Sequence, residues 1–468
     1  MCCLYDVIVI GAGAAGLTAA GGCARLGLRV ALVERDRMGG ECLNTGCVPS
    51  KALLAAARRA HAMRGGAMGV SSAGAQVSFA GVRTHVQGAI AAIAPHDSAE
   101  RFTAWGVEVV RGDACFTGAR TVQVGDRLLS APRIVVATGS RPAVPDIPGL
   151  ASVPYLTNET LFGLGELPRH LIVLGAGAMG IEMAQAFRRL GSEVTVLERG
   201  TPLPQHDGDA VAVMLGQFAS EGVVLRAGTS VASVGMVQDG IQVVLADGAA
   251  VLGSHLLIAA GRRAALDGLG LAAAGIRASP EGIEVDRRRR TSNPHVLAIG
   301  DCRIGPRFTH TAGYEGSLAV MAIGFGLPVG AQYANLPAVI YTDPELAQLG
   351  LTETEARHRF KRVRVVQEEF ADNDRSVADG TAAGFARVVL AGRRVVGVTI
   401  VGAGAGELLL PWSLAMRGNA STWAMGGAVI AYPTRSGITK ALGFAVWDGV
   451  LFGRVARAWA RGLATLRR

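Results

Sequence analysis

The first 34 residues alternate between short apolar runs and a segment with a helical pattern. An apolar, β-branched run at 5–10 predicts a strand, a helical segment extends to about Leu26, and a second strand ends at Glu34. The glycines between the first strand and the helix are Gly11, Gly13 and Gly16. Such glycines let the backbone turn tightly and approach a pyrophosphate at a helix N-terminus, and the acid can bind a ribose diol. We therefore predict a dinucleotide-binding unit.

The same arrangement returns at 171–198. Its glycines are Gly175, Gly177 and Gly180, and its second strand ends at Glu198. In each unit the acid follows the first glycine by 23 positions. One glycine motif is weak support for nucleotide binding, whereas two complete units with matched acids are strong support. Two dinucleotides on one chain indicate electron transfer between two cofactors.

Composition and charge narrow the class of protein. The chain has 468 residues, a net charge of +9, 50% hydrophobic residues and only 5% aromatic residues. This favours two to four globular domains with parallel sheets and closely packed helices, and it excludes disorder as the main state. No apolar stretch has the roughly 20 residues of a membrane span. We expect a cytoplasmic protein, with peripheral attachment at the inner face of the membrane as the alternative.

Seven cysteines are too few and too scattered for a disulfide scaffold, so any disulfide is expected to be catalytic. Cys42 and Cys47 lie in the segment GGECLNTGCVPSK at 39–51, just before a predicted helix. A helix N-terminus favours a thiolate at Cys47. A thiolate can attack a disulfide, bind a soft metal ion or donate electrons to a flavin. Cys115 and Cys302 are expected to be small buried hydrophobic residues.

This segment resembles the redox motif of the class I pyridine nucleotide-disulfide oxidoreductases, which include dihydrolipoamide dehydrogenase, glutathione reductase and mercuric reductase. Further motifs extend the resemblance over the chain: ATGSRP at 137–142, AAGR at 259–262, AIGD at 298–301, YTDPELAQLGLTE at 341–353 and AYPTRSG at 431–437. The resemblance implies FAD on the first unit and a nicotinamide nucleotide on the second. It also implies a homodimer whose active sites are completed across the subunit interface.

The resemblance assigns a role to each site residue. Cys42 would be the interchange thiol and Cys47 the charge-transfer thiol. Lys51 would lie near flavin N5, paired with Glu182, and Asp301 would bind the ribityl chain of FAD. The remaining cofactor-binding positions taken from the motifs are Thr138, Gly139 and Gly261.

The acid of the second unit bears on the choice of nicotinamide. Because a carboxylate accepts from a free 2′-hydroxyl and repels a 2′-phosphate, Glu198 favours NADH. Arg199 follows directly and can offset that repulsion, so NADPH is the alternative.

The C-terminal motif departs from the pattern of the family's disulfide reductases. Those enzymes carry a His-Pro-Thr segment and a later Glu that move protons at the interchange thiol, whereas this chain has Tyr432 and Gly437 there. A free tyrosine, with a pKa of about 10, is a poor substitute for histidine. Mercuric reductases also carry a tyrosine here, and a metal ion needs thiolates more than a proton shuttle. The thiols Cys42 and Cys47 would then bind the substrate ion transiently.

The motifs predict an α/β architecture of two Rossmann-like dinucleotide-binding domains, as in glutathione reductase, and an α+β dimerisation domain. The predicted segments are 1–150 and 271–330 for FAD, 151–270 for NAD(P), 331–449 for dimerisation and 450–468 for a basic amphipathic helix. The run Arg287–Arg290 is interpreted as a solvated face, and no nucleic-acid partner is expected.

A helical wheel of 450–468 predicts an amphipathic tail. Its apolar face carries Leu451, Val455, Trp459, Leu463 and Leu466, and its opposite side carries Arg454, Arg457, Arg461 and Arg468. Packing against its own domain or the partner subunit is the preferred interpretation of this helix. Peripheral contact with anionic lipid is the alternative.

The sequence predicts a flavoenzyme that passes electrons from NADH through Cys42 and Cys47 to a soft metal ion, such as mercuric or cupric ion, or to a small thiol-reactive oxidant. The alternative enzyme is a dihydrolipoamide dehydrogenase-like or other disulfide reductase. An alternative of another class is an FAD-binding redox sensor, associated with the membrane, in which the cysteines act as a switch.

Overall fold

The β-branched runs identified in the sequence form the central strands of two parallel sheets. The computed structural model describes residues 3–65, 68–70, 74 and 76–467, so Arg468 of the predicted tail face lies outside the described residues. The chain divides into two units, the first comprising Met1–His61, Ala75–Leu197 and Thr229–Gln332, and the second comprising Ala62–Gly74, Glu198–Gly228 and Tyr333–Arg468.

The first parallel sheet of the first unit has five strands. Their spatial order is Val296–Ala298, Arg133–Val136, Val7–Ile10, Val30–Glu34 and Val107–Arg111. All four residues of the central strand Val7–Ile10 are buried. A central parallel strand is covered on both faces, which is why its sequence is a continuous apolar run rather than an alternating one.

The second parallel sheet repeats this plan within the same unit. The spatial order of its strands in this unit is Tyr155–Leu156, His255–Ile258, His170–Leu174 and Glu193–Leu197. In each sheet a glycine turn follows a central strand and leads directly into a helix, Ala14–Arg25 in the first and Ala178–Leu190 in the second. The predicted α/β fold with two Rossmann-like units is confirmed.

Small residues allow the first of these helices to pack closely. The helix Ala14–Arg25 lies against the helix Thr309–Gly324. A side chain at Gly22 would overlap Val320, and one at Gly316 would overlap Thr18. This contact holds in place the helix Thr309–Gly324, whose first residue, Thr309, is hydrogen-bonded to Cys47 at 3.2 Å.

The remaining elements of the first unit are further strands, mostly antiparallel, and helices. The strands are Cys3–Leu4, Ala114–Gly118, Thr121–Val124, Arg127–Ser130, Ser140–Pro142, Val231–Val237, Gly240–Leu245, Ala250–Gly253, Arg262–Ala264, Ala278–Ser279 and Gly282–Ile283. The helices are Gly40–Asn44, Cys47–Gly65, which extends into the second unit, Phe79–Ile93, Ala99–Ala104 and Asn158–Leu161.

The second unit is built on an antiparallel sheet with helices beside it. The order of its strands is Pro337–Ile340, Glu345–Gly350, Arg394–Gly402, Phe385–Ala391 and Val363–Glu369. Its further elements are the strand Val224–Arg226 and the helices Gly208–Ser220, Glu353–Arg359, Asp374–Ala378, Leu410–Met416, Thr422–Gly427, Ser436–Ala445, Asp448–Leu451 and Arg454–Leu466. Trp412 is fully buried in the apolar core of this α+β unit.

Two expectations about surface and burial are wrong. Cys115 is exposed, because the strand Ala114–Gly118 alternates and turns its neighbours Ala114 and Phe116 inward. In the run Arg287–Arg290, Arg289 is buried and lies 3.6 Å from a carboxylate oxygen of the fully buried Glu315. A buried carboxylate needs cationic partners, and a solvated arginine could not supply them.

The tail differs in two ways from its prediction. A turn at Phe452 and Gly453 interrupts the helical segment, so the terminal helix is Arg454–Leu466. None of its residues is fully buried within the described chain, and only Ala456 and Leu463 are partly buried, so its packing against its own domain is slight there. Packing against the partner subunit stays a prediction. No helix in the described part of the chain is both long and apolar enough to cross a bilayer.

Candidate active site

The segment that carries the two cysteines is folded by local hydrogen bonds. Gly39 and Gly40 have φ angles of 84° and 58°, conformations that favour glycine, and they lead into the short helix Gly40–Asn44. The Asn44 amide donates to the carbonyl oxygens of Met38, at 3.0 Å, and Gly40, at 2.7 Å. The next helix begins at Cys47. Cys42 and Cys47 are partly buried thiols on successive helices.

The two thiols have opposite tendencies to hold a proton. A hydrogen bond from Cys42, another with Thr309 at 3.2 Å and the charge of Lys51 together lower the pKa of Cys47 to about 6, against the effect of burial. The same hydrogen bond and burial raise the pKa of Cys42. At neutral pH the reduced pair therefore holds one proton on Cys42, with Cys47 as a thiolate.

Lys51 lies one turn into the helix that Cys47 begins. Its ammonium nitrogen is 2.9 Å from Oε2 of Glu182, which is buried in the helix Ala178–Leu190. The predicted pairing of these residues is present. It places a positive charge close to the Cys47 thiolate, where it stabilises negative charge.

A further charged cluster adjoins the redox segment, and sequence reasoning missed its central residue, Glu41. The Arg262 guanidinium binds both carboxylate oxygens of Glu41, with one bond of 2.6 Å, and donates to Ser140 Oγ at 2.8 Å. Ser140 in turn donates to Asp301 at 2.8 Å. The Asn158 amide also donates to Glu41, at 2.9 Å. This network joins the residue before Cys42 to the predicted ribityl-binding acid.

Burial raises the pKa of Glu41, while the adjacent Arg262 opposes this rise. A charged residue inside a glycine- and cysteine-rich motif was the available sequence signal. Its partner could not be identified from sequence because Arg262 lies 221 residues further along the chain.

The first and third glycines of each turn lie against neighbouring backbone. A Cβ at Gly11 would overlap the Ala137 carbonyl, and one at Gly175 would overlap the Ala259 carbonyl. The third glycine of each turn packs against the first glycine of the same turn. A Cβ at Gly16 would overlap the Gly11 carbonyl, and a Cβ at Gly180 would overlap the Gly175 carbonyl. Protein packing therefore explains the first and third glycines of both turns.

The middle glycines have a different environment. A Cβ at Gly177 would have no neighbour within 4 Å, and one at Gly13 would only reach ordinary contact distance. Neither glycine has a positive φ, and no side chain caps the helix that follows either one. Open space beside uncapped helix N–H groups suits a pyrophosphate. The residues present therefore fit both dinucleotides.

The acids at the strand ends accept from local backbone groups. Glu34 accepts from the N–H of Ala12 at 2.6 Å and of Asp36 at 2.8 Å, so it lies beside the first glycine turn. Glu198 accepts from the N–H of Gly200 at 2.8 Å. Each carboxylate is thereby oriented by the backbone, as binding a ribose requires.

Three further predicted cofactor positions lie after strands. Thr138 and Gly139 follow the strand Arg133–Val136, and Gly261 precedes Arg262. Gly139 and Gly261 have φ angles of 72° and 122°, and a Cβ on either would meet nothing within 4 Å. Glycine is needed at both places for the backbone conformation.

Tyr432 belongs to the second unit. It is 80% exposed, and its hydroxyl donates to Asp374 at 2.8 Å, which raises the pKa of the phenol. The structure thus brings together the two cysteines, and Lys51 with Glu182, inside the first unit. The role of Tyr432 at these thiols stays a prediction.

Comparison with known proteins follows the two parts of the chain. The family described as pyridine nucleotide-disulphide oxidoreductase matches residues 5–316. The chain belongs to this family. The dimerisation domain of the same oxidoreductases matches residues 336–442. As a pyridine nucleotide-disulphide oxidoreductase, the protein is an enzyme of the FAD- and NAD(P)H-dependent class.

Several relatives share most of this oxidoreductase's length. The dihydrolipoyl dehydrogenase of Thermus scotoductus is 36% identical and aligns over 92% of this chain and 95% of its own. The mercuric reductase of Lysinibacillus sphaericus is 32% identical over 88% of this chain and 77% of its own. The solved Cu(II) complex of the HOCl-induced flavoprotein disulfide reductase RclA from Escherichia coli has 25% identity and a TM-score of 0.85, covering 94% of this chain and 99% of that chain.

Proposed function

We propose that the enzyme takes a hydride from NADH, reduces a Cys42–Cys47 disulfide and passes two electrons to a soft metal ion, such as Hg(II) or Cu(II), or to a small thiol-reactive oxidant. The observation that carries this proposal is the unequal pair of thiols. Hydrogen bonding and burial keep the proton on Cys42, while hydrogen bonds and the charge of Lys51 keep the negative charge on Cys47. NADPH is the alternative donor.

The protonation pattern of the thiols matches the products of hydride reduction. The two electrons of a hydride break the S–S bond, and its proton ends on Cys42, which leaves Cys47 as the thiolate. The charge of Lys51 stabilises that thiolate, and Glu182 fixes the position of the lysine. FAD, when bound, would relay the electron pair from nicotinamide to disulfide.

The residues proposed to hold FAD are Gly11, Gly13, Gly16, Glu34, Lys51, Thr138, Gly139, Gly261 and Asp301. Those proposed to hold the nicotinamide nucleotide are Gly175, Gly177, Gly180 and Glu198. Since Glu198 would repel a 2′-phosphate, NADH is the preferred donor, and Arg199 is the residue that would permit NADPH.

The acceptor half-reaction also balances at these two thiols. A soft ion binds the Cys47 thiolate and displaces the proton of Cys42. Reformation of the disulfide then returns two electrons, which reduce one Hg(II) to the metal or two Cu(II) to Cu(I). The described residues contain no cluster of three or more His, Cys, Asp or Glu side chains suited to a resident metal ion. The proposed reaction uses only a transient complex between the two thiolates and the substrate ion.

Tyr432 supports a metal acceptor over a disulfide acceptor. Protonating a leaving thiolate requires a group with a pKa near neutrality, and the hydrogen bond to Asp374 moves the phenol away from that range. The proposed enzyme is a homodimer in which Tyr432 of the partner subunit completes each site. Relatives named mercuric reductase agree with this acceptor.

Disulfide reduction is the second candidate function. The relative with 36% identity is named dihydrolipoyl dehydrogenase, and it aligns over nearly its full length. In that case a group other than Tyr432 would protonate the leaving thiolate.

Reoxidation of the reduced enzyme distinguishes the two candidates. The holoenzyme is reduced anaerobically with NADH and then mixed with Hg(II), Cu(II) or oxidised lipoamide, with Cys42→Ser as the control. Fast reoxidation by a metal ion alone, lost in the control, is expected. Fast reoxidation by lipoamide would refute the metal-ion proposal, and equal rates in the control would refute the role of Cys42.

A further inference from the structure

The C-terminal helix, Arg454–Leu466, leaves most of an apolar face exposed; of its large apolar side chains only Leu463 is partly buried by the described residues. Val455, Trp459 and Leu466 are 84, 71 and 84% exposed, and spacings of four and seven residues place them on one side of the helix. Val450 and Phe452, immediately before the helix, are also more than half exposed. Contiguous exposed apolar surface of this kind marks an interaction site.

The charges of the helix all have one sign. Arg454, Arg457 and Arg461 lie opposite the apolar face, and Arg467 follows the last turn. No acidic residue follows Asp448. Within the described residues, these four arginines form no ion pair. The complementary partner is therefore an apolar surface that carries negative charge.

This surface lies outside the family's shared interface domain. The match to the dimerisation domain ends at residue 442, before the helix begins. A second copy of the helix would offer no acidic side chain to pair with its arginines. Both observations disfavour a second copy of this chain as the occupant.

The dimensions of the helix suit the surface of a bilayer. An interfacial helix buries its apolar face to a depth of about 5–10 Å, and a helix is about 10–12 Å wide. The arginines opposite Trp459 would therefore lie at the level of the lipid phosphates, which accept charge-assisted hydrogen bonds from guanidinium groups. We propose that the helix Arg454–Leu466 binds peripherally to an anionic lipid surface.

Vesicle binding by the full-length holoenzyme tests the proposal. The probes are vesicles of equal parts phosphatidylcholine and phosphatidylglycerol, compared with phosphatidylcholine alone, at low and high salt. A tail variant carries Arg454→Gln, Arg457→Gln and Arg461→Gln. Its matched control removes the same charge from exposed positions elsewhere in the second unit through Lys361→Gln, Arg362→Gln and Arg394→Gln.

We expect binding to anionic vesicles that weakens with salt. Each arginine near an anionic surface raises the affinity for the membrane about fivefold. The tail variant, which lacks three of them, should therefore bind roughly a hundredfold more weakly, while the control keeps most of its affinity. Trp459→Ser should also weaken binding about tenfold or more. NADH-dependent turnover without vesicles should be unchanged in all three variants, which verifies their folding.

Three results would overturn the assignment to lipid. The first is equal binding to charged and neutral vesicles, or none. The second is equal affinity of the tail variant and its control. The third is a change of oligomeric state in Trp459→Ser without any vesicle binding, which would assign the apolar face to a second copy of the chain.

Discussion

Lys51 and Glu182 join the two dinucleotide-binding units at the redox centre. The ammonium group of Lys51 lies 2.9 Å from a carboxylate oxygen of Glu182, although 131 residues separate them along the chain. Lys51 lowers the pKa of Cys47 and Glu182 raises it. The pair therefore sets the charge at the thiolate while holding the helix that carries Cys47 against the helix of the second glycine turn.

Removing the charge of Lys51 and removing the charge of Glu182 should shift the pKa of Cys47 in opposite directions. Lys51→Met is expected to raise the midpoint of thiolate formation, and Glu182→Gln to lower it, each by about one pH unit. The measurement is the ultraviolet absorbance of the thiolate against pH in the reduced protein. A Cys47→Ser background shows which signal belongs to Cys47. Shifts of the same sign in both variants would contradict the electrostatic account.

The hydrogen bond from Cys42 should be the largest influence on Cys47. Because the pKa of Cys47 is about 6, its thiolate is present at neutral pH and is lost as the pH falls through 6. Cys42→Ala removes the donor and should raise this midpoint strongly, whereas Cys42→Ser keeps a donor and should leave it near 6. Alkylation rates of Cys47 against pH report both midpoints. Identical profiles for the two variants would show that the donor is irrelevant.

Two glycines of the second turn should respond differently to alanine. Gly177→Ala adds a methyl group to open space, so the free energy of unfolding should change by less than about 0.5 kcal/mol. The same methyl group would occupy the space proposed for the pyrophosphate, so the KM for NADH should rise at least about tenfold. Gly180→Ala drives a methyl group into the Gly175 backbone and should destabilise the fold by about 1–3 kcal/mol. Chemical denaturation and NADH titration separate these effects. Unchanged NADH binding in Gly177→Ala would argue against a nucleotide at that turn.

The Glu41–Arg262 ion pair should stabilise the redox segment. Glu41→Gln is expected to lower the free energy of unfolding by about 1–3 kcal/mol, because it removes a charge-assisted, partly buried pair. The exposed pair of Glu353 and Arg357 provides the control, and Glu353→Gln should cost less than about 1 kcal/mol. A double-mutant cycle with Arg262→Gln measures the coupling. Additive effects in that cycle would mean that the two residues act independently.

Much of the architecture could be predicted because its determinants are local in sequence. The continuous apolar run at 5–10 and the glycines that follow it specify a buried parallel strand and a tight turn before any distant residue is considered. The repeat of this pattern up to Glu198 predicts the second dinucleotide-binding unit in the same way. Cys42 and Cys47 could be identified because their spacing and their place before a helix are visible in the sequence.

Other features depend on residues that meet only in the folded chain. The partnership of Glu41 with Arg262 required a helix and a strand from distant segments to be placed together, and the burial of Arg289 depended on a buried carboxylate at Glu315. The sequence determined which side chains of the terminal helix share a face, since helical periodicity is local. Only the tertiary structure decided that most of this face is left exposed in the described chain, because burial depends on what the rest of the chain packs against.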